Sequence, residues 1–382
     1  MFGLGKKVQV APEVKASAVG RVAAWGTSGR NVWSPRDGVS LVRLGFQGNP
    51  VGFRCVKLIA EAAAAVPLVV AGDEGRYATH ALLDLLDRPN GAQGRSEFLE
   101  ALFAQLLLSG NGYVEAVGPL GWPDELHVLR SDRMSVVPGA DGWPVGYDYA
   151  VGGRKHRFRV GDVSPVAHLR FFHPTDDHYG LSPMAAAASA VDVHNAASRW
   201  SKALLDNAAR PSGAIVHQGE EMSVEQFDRL SAELEANHQG ARNAGRPMLL
   251  DGGLDWKPMG FSPSDMEFQQ TKEAAAREIA TAFGVPPMML GIAGDATYAN
   301  YAEANRAFFR LTVLPLVGRV CEGLAGWLSQ HGAERVRLTA DRDRIPALQI
   351  ERDAEWRRVA EATFLTDAEK RDLLGLPPLS DA

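Results

Sequence analysis

The apolar positions along the chain alternate between helical and strand-like spacing. From 49 to 66, Val51, Cys55, Leu58, Ile59 and Ala62 recur at three- and four-residue steps, the signature of one buried helix face. Pro67 ends that run because its ring blocks the helical ladder. Residues 68–70 (Leu, Val, Val) then read as a short strand. A helix is predicted over about 80–86, and Arg88-Pro89-Asn90-Gly91 is a turn. Ser96 is the expected N-cap of a further helix carrying Phe98, Leu99, Leu102, Phe103, Leu106 and Leu107. Ser109-Gly110-Asn111-Gly112 stops it. Residues 113–172 show strand-like runs ending at turn signals (119–123, 138–142, Gly152-Gly153), which predict a small mixed or antiparallel sheet.

The second half is dominated by long helical runs. Ser182 at N-cap and Pro183 at the first helical position form a start signal. The run 183–209 then lacks further Gly or Pro, which predicts one rod of roughly 40 Å. Pro211 stops it. Residues 211–260 read as a compact α/β insert. It has strands at 213–217, 247–250 and 254–259, and a helix opened by the capping box Ser223-Val224-Glu225-Gln226. A second long helix is expected over 264–283, then a loop, then a third long helix over 297–329. Val313, Leu316, Val317, Val320, Leu324, Trp327 and Leu328 form its apolar face, and Pro315 predicts a kink. A strand at 335–339 and a helical tail with the capping box Thr366-Asp367-Ala368-Glu369 close the pattern. Residues 1–40 have no sustained period and read as a flexible N-terminal arm. The fold class is α+β.

Charge narrows the function. The 382 residues carry a formal net charge of −6, whereas a protein that grips a phosphate backbone needs a Lys/Arg excess. A protein that lets DNA slide past does not. Cys55 and Cys321 are far apart, with no zinc spacing, and are expected as buried free thiols in a reducing compartment. No signal peptide and no membrane span are expected.

Known catalytic motifs are missing. There is no Walker-type phosphate loop, no G-x-S-x-G elbow and no H-E-x-x-H helix. Gly291-Ile292-Ala293-Gly294-Asp295 lacks the spacing of a nucleotide loop. His168, His173, Asp176, Asp177 and His178 are residue types that bind zinc or a metal pair. The competing reading, a polar turn between a strand and the long helix, is favoured. Arg306, Phe308, Phe309 and Arg310 alternate basic and aromatic groups, but at helical spacing the rings pack inward. No catalytic residue, metal or cofactor is expected. Two alternatives stay open: a metal-dependent hydrolase using His168, His173, Asp176 and Asp177, and a capsid or tail structural protein without a DNA channel.

The order of parts, together with local strings, resembles the HK97-like family of tailed-bacteriophage portal proteins. The strings are Arg88-Pro89-Asn90, Gly110-Asn111-Gly112-Tyr113, Gly180-Leu181-Ser182-Pro183 and Ala208-Ala209-Arg210-Pro211-Ser212-Gly213. Further along come Ile279-Ala280-Thr281-Ala282-Phe283-Gly284-Val285-Pro286-Pro287, and Thr297-Tyr298-Ala299-Asn300 before Glu303. The last are Phe364-Leu365-Thr366, Glu369-Lys370-Arg371 and Gly375-Leu376-Pro377-Pro378. The resemblance covers about 40–380. It implies a portal fold with a wing (41–180 and 297–345), a stem of two helices (181–210 and 261–284), a clip (211–260), a tunnel loop (285–296) and a helical crown (346–382). It implies a homo-oligomer, a dodecameric ring at one capsid vertex of a phage or gene-transfer-agent particle, assembled in the host cytoplasm. Its partners would be double-stranded DNA, the large terminase, the head-tail adaptor and the major capsid protein, with no membrane. On this reading Met288, Met289, Leu290, Gly291 and Ile292 face the DNA channel. Lys202, Glu267, Lys272 and Glu278 are stem candidates for lining it. Glu220, Glu221, Gln239, Arg242 and Asn243 are candidates for docking the terminase and adaptor.

Overall fold

The computed structural model describes residues 35, 37–72, 75–77, 79–119, 121–206, 213–217, 223–238, 254–258, 268–292, 298–332 and 337–376. Most of the expected arm lies outside them, but its last residues already belong to a helix. α1 (Gly38–Leu41) is capped by the Asp37 side chain and runs into a wider π-helical stretch, Val42–Gln47. Asn49 then starts α2 (Pro50–Ala64): its Oδ1 accepts the Val51 and Gly52 N–H groups, and Pro50 occupies the first turn, where no N–H is needed. Cys55, Val56, Ile59 and Ala63 of α2 are buried, as the spacing predicts.

β1 (Leu68–Gly72) pairs with β2 (Gly75–Tyr77) and, across the chain, with the C-terminal strand. α3 (Ala81–Asp87) has His80 as its cap. α4 (Arg95–Ser109) starts at Gly94 rather than at Ser96. Gly94 is extended and its carbonyl already accepts the Phe98 N–H, which leaves Ser96 inside the first turn. Phe98, Leu99, Leu102, Phe103 and Leu106 of α4 pack on α2 in the main core.

The residues expected to form one sheet form two. β3 (Asn111–Val117) is the centre of a three-stranded antiparallel sheet, flanked by β4 (Glu125–Leu129) and by β8. β5 (Met134–Pro138), β6 (Pro144–Val151) and β7 (Arg154–Arg159) make a second antiparallel sheet. β8 (Val166–Arg170) then returns to β3. Tyr113, Leu129, Met134, Tyr147, Phe158 and Val166 form a small satellite core that joins the two sheets. The split follows from the turn after Leu129, which carries β5 away from β4.

Helices dominate from here. The expected single rod is interrupted once: α5 (Pro183–Ala186) is separated from α6 (Ala188–Asp206) at Ala187. Met184 anchors that first turn. It is fully buried, with its thioether against Gly45 and Gly52. β9 (Gly213–His217), α7 (Val224–His238) and β10 (Leu254–Pro258) follow, with β9 and β10 antiparallel. The Ser223–Gln226 capping box opens α7 as expected. The predicted strand at 247–250 lies outside the described residues. α8 (Phe268–Phe283) packs along α6. α9 (Tyr298–Phe308), a π-helical stretch Phe309–Val313 and α10 (Leu314–Leu328) make the third long helix. The irregularity expected at Pro315 takes the form of this widened turn, which absorbs the missing proline N–H. The continuous helix Asn300–His331 is long and apolar enough to cross a membrane by length and composition, contrary to the sequence expectation. Half of its most apolar window is buried within this fold, the pattern of a core helix. β11 (Arg337–Ala340) pairs with β1, and α11 (Gln349–Glu361) and α12 (Asp367–Leu373) follow, the latter opened by the Thr366–Glu369 capping box.

Two glycines hold the end of α4 against the segment that leads into α5. Gly110 has φ +76°, a left-handed C-cap, and a Cβ there would lie 2.3 Å from the Gly180 carbonyl oxygen. A Cβ on Gly180 would lie 2.1 Å from the Gly110 carbonyl oxygen. Neither backbone can retreat, because the Phe171 N–H donates to Gly110 and the Gly180 N–H donates to the Asn111 side chain. Gly180→Ala is expected to destabilise the protein by about 1–3 kcal/mol, the cost of overpacking a tight site. Thermal unfolding of the variant checks this, and an unchanged midpoint would contradict it.

Candidate channel and docking elements

α6 and α8 touch along small side chains. Ala190, Val191 and Ala197 of α6 and Ala275, Ala276, Ile279 and Ala280 of α8 are buried. Short side chains let two backbones approach closely, and the Trp200 and Phe268 rings, 5.4 Å apart, close the contact toward the inserted module. Polar contacts bind α6 to the start of α2 and the π-helical stretch before it. Asn49 Nδ2 donates to His194 Nδ1 at 3.1 Å and to Asn195 Oδ1 at 2.9 Å. Asn195 Nδ2 in turn donates to the Leu44 carbonyl at 3.0 Å. Asn49 Oδ1 is committed to two backbone N–H groups, so its amide orientation is fixed. His194 Nδ1 must therefore accept, and the ring is neutral with its proton on Nε2. Burial, with Lys272 on α8 adding to it, holds the His194 pKa below the ordinary imidazole value. Sequence reasoning missed this cluster. The available signal was Asn49-Pro50, a cap followed by a first-turn proline.

The expected stem residues divide. Lys202 and Glu278 are exposed, whereas Lys272 is half-buried and acts electrostatically on His194. Glu267 lies outside the described residues, as do the docking candidates Glu220, Glu221, Gln239, Arg242 and Asn243.

The start of the expected tunnel loop is ordered by its ends. Gly284 is left-handed, and Thr312 Oγ1 donates to its carbonyl at 2.6 Å. Val285 is buried. Pro287–Leu290 makes a single 3-10 turn ended by Gly291 at φ +73°. Met289 and Leu290 pack against the main core, while Met288 and Ile292 are half-buried outside it. No charged residue interrupts 284–292.

The histidine–aspartate cluster does not assemble a metal site. His168 lies inside the satellite core, stacked on Tyr113 with ring centroids 4.3 Å apart, and its Nε2 donates to Asn111 Oδ1 at 3.0 Å. Burial pushes its pKa down to about 3. Asp176 Oδ1 accepts the His178 and Tyr179 N–H groups, and His173 Nδ1 accepts the Thr175 N–H, so both serve the turn. Among the described residues no group of three His, Cys, Asp or Glu side chains is placed to hold a metal ion. Phe308 is buried and Phe309 half-buried, with Arg310 3.7 Å from Glu351 of α11. Both cysteines are buried free thiols, pushed up to about 12 by burial.

The sequence profile of the family described as phage portal protein matches residues 50–375. The chain belongs to the phage portal protein family. Its similarity extends to a probable portal protein of Streptomyces phage phiC31, 30% identical over 302 residues, covering 75% of this chain and 65% of that protein. A chain in the neck of an empty gene transfer agent particle is 69% identical, covers 92% of this chain and 96% of its own, and superposes with a TM-score of 0.71. A chain in the neck of a native particle with C12 symmetry is 68% identical over the same shares, with a TM-score of 0.70. Portal proteins are structural, not enzymatic, which settles the hydrolase alternative against it.

Two outcomes follow from the buried polar groups. Asn49→Ala removes a helix cap and leaves His194 and Asn195 without their partner, so stability should fall by about 2–4 kcal/mol. Chemical denaturation measures it. His168 is neutral when folded, while in the unfolded chain it titrates near the ordinary 6.5. The unfolded state then binds the extra proton, so stability is full above about pH 6.5 and declines as pH falls toward 3. His168 alone should cost about 2 kcal/mol at pH 5. His168→Phe should flatten the stability curve between pH 7 and 5, and an unaltered slope would refute the assignment.

Proposed function

We propose that this chain is the portal subunit of a gene-transfer-agent-like particle, a dodecameric ring at one vertex of the capsid through which double-stranded DNA enters and leaves. The observation that carries the reading is the 69% identity, over 92% of the chain, with a protein in the neck of a gene transfer agent particle. The C12 symmetry of a related neck supports the ring number. The wing comprises α1 to β8 with α9, α10 and β11. α6 and α8 form the stem, β9, α7 and β10 belong to the clip, and α11 and α12 form the crown.

DNA is held weakly in this reading. Twelve copies at −6 each carry −72, which repels phosphate rather than trapping it. The uncharged stretch 288–292 forms the constriction. The clip docks the large terminase during packaging and the head-tail adaptor afterwards, and the outer wing meets the major capsid protein. The subunit assembles in the host cytoplasm and resides in the virion.

Negative-stain images of the purified protein should show rings with a central hole. Monomers or closed lattices would overturn the proposal. Replacing both Met288 and Ile292 by Lys should leave ring formation intact and lower the DNA content per particle, read by DNA quantification of purified particles. Unchanged content, or a cryo-EM map placing 288–292 more than a side-chain length from the bore, would remove the loop from the channel.

A further inference from the structure

The second sheet has one closed edge and one open edge. At the β5 edge the Val136 N–H already donates to the Tyr179 hydroxyl at 2.9 Å. At the other edge, among the described residues, β7 pairs with β6 alone. The register tells which backbone groups are free. Val160 N–H donates to the Val145 carbonyl, and Tyr147↔Phe158, Tyr149↔His156 and Val151↔Arg154 continue that alternation. In an antiparallel ladder the residues between these pairs turn their N–H and C=O groups away from the partner strand. Those residues are Lys155, Arg157 and Arg159.

The same three residues are exposed cations. Phe158 and Tyr147 face the satellite core, so Lys155, Arg157 and Arg159 share the opposite face. Arg157 is bound to Asp148 across the pair, with Nε 2.6 Å from Oδ1. Lys155 and Arg159 have no salt bridge among the described residues. The strand Arg154–Arg159 contains no acidic residue, in a chain whose net charge is −6. Trp143, Val145 and Val160 are exposed at one end of this edge and Val151 at the other, which offers apolar contact to a polypeptide.

We propose that the β7 edge is a strand-addition site for an extended acidic segment of another protein, with carboxylates at alternate positions facing Lys155, Arg157 and Arg159. Directly opposed residues on a ladder lie about 4.5–5.5 Å apart on the same face, so each cation meets one carboxylate. Main-chain bonds supply affinity, and the charge pattern supplies choice of partner. A second copy of this chain is a poor occupant. Two β7 edges would oppose like charges, and no described strand carries acidic residues at two alternate positions. The proposal does not depend on the ring or channel assignment.

The test uses the full-length protein and a fluorescent ten-residue peptide with Glu at alternate positions and Thr or Val between them. Anisotropy should show saturable binding that weakens as salt rises. Lys155→Glu/Arg159→Glu should weaken it at least tenfold, with an unchanged unfolding midpoint. A peptide of the same composition with its Glu residues clustered should bind at least tenfold more weakly, as should one N-methylated along its pairing edge. Absence of binding overturns the proposal. Equal binding of the clustered or N-methylated peptide overturns it too, because the edge would then attract any polyanion, and full displacement by duplex DNA at equal charge concentration would carry the same meaning.

Discussion

A buried amide ties the start of α2 to α6. Asn49 satisfies the first turn of α2 with its oxygen and binds α6 through His194 and Asn195 with its nitrogen. Water is no substitute for Asn49 or His194, which are both buried. An unpaired buried polar group costs more than a formed bond returns, so the network specifies one seating of α6 on the wing. An apolar contact at that point would tolerate sliding. The helices α6 and α8 pack together beyond this point, and the β9–α7–β10 module lies between them in the chain. Under the proposed function, load applied to that module by a motor travels down the helix pair to Asn49.

The second fixed point works by close approach instead. Asn111 follows the left-handed Gly110, and its side-chain oxygen accepts from both His168 and the Gly180 N–H. The end of α4, the central strand β3, the edge strand β8 and the segment entering α5 thus meet around one residue. His168 is depressed because it is sealed there by Tyr113 and Tyr147, not because it awaits a ligand. A histidine chosen by residue type as a metal candidate is therefore part of the packing between the two sheets.

These two junctions explain what was legible in the chain. Helices with a long apolar period and proper caps could be read directly: α2, α4, α7 and α8 lie close to their predicted bounds, α9 and α10 with the π-helical stretch between them span the predicted third long helix, and α12 opens at its predicted cap. So could the described part of the α/β insert between two long helices, one member of the element order that carries the family resemblance. The division of 113–172 into two sheets could not be read, because strand order depends on which edges meet and not on the alternation within each strand. The break at Ala187 also escaped: beside it Met184 packs against Gly45, 139 positions earlier in the chain, a contact no local pattern shows. The docking residues proposed at 220, 221, 239, 242 and 243 were chosen by polarity and place in the insert, and polarity alone has no geometry.

Charge is the property whose meaning changed most between sequence and structure. As a total, −6 says only that the chain does not grip a phosphate backbone. Its distribution says more. α6 and α8 mix signs (Asp192, Arg199 and Lys202; Lys272, Glu273, Arg277 and Glu278), so no continuous cationic stripe runs along them among the described residues. The one dense cationic run, 154–159, sits on an open sheet edge. Basic side chains on an edge also discourage indiscriminate strand pairing. The two roles are compatible: the repulsion that excludes a neutral or basic strand is the same field that selects an acidic one. Under the proposed function, a subunit that lets one polyanion slide while holding other partners gains from keeping those cations on this sheet edge and away from α6 and α8.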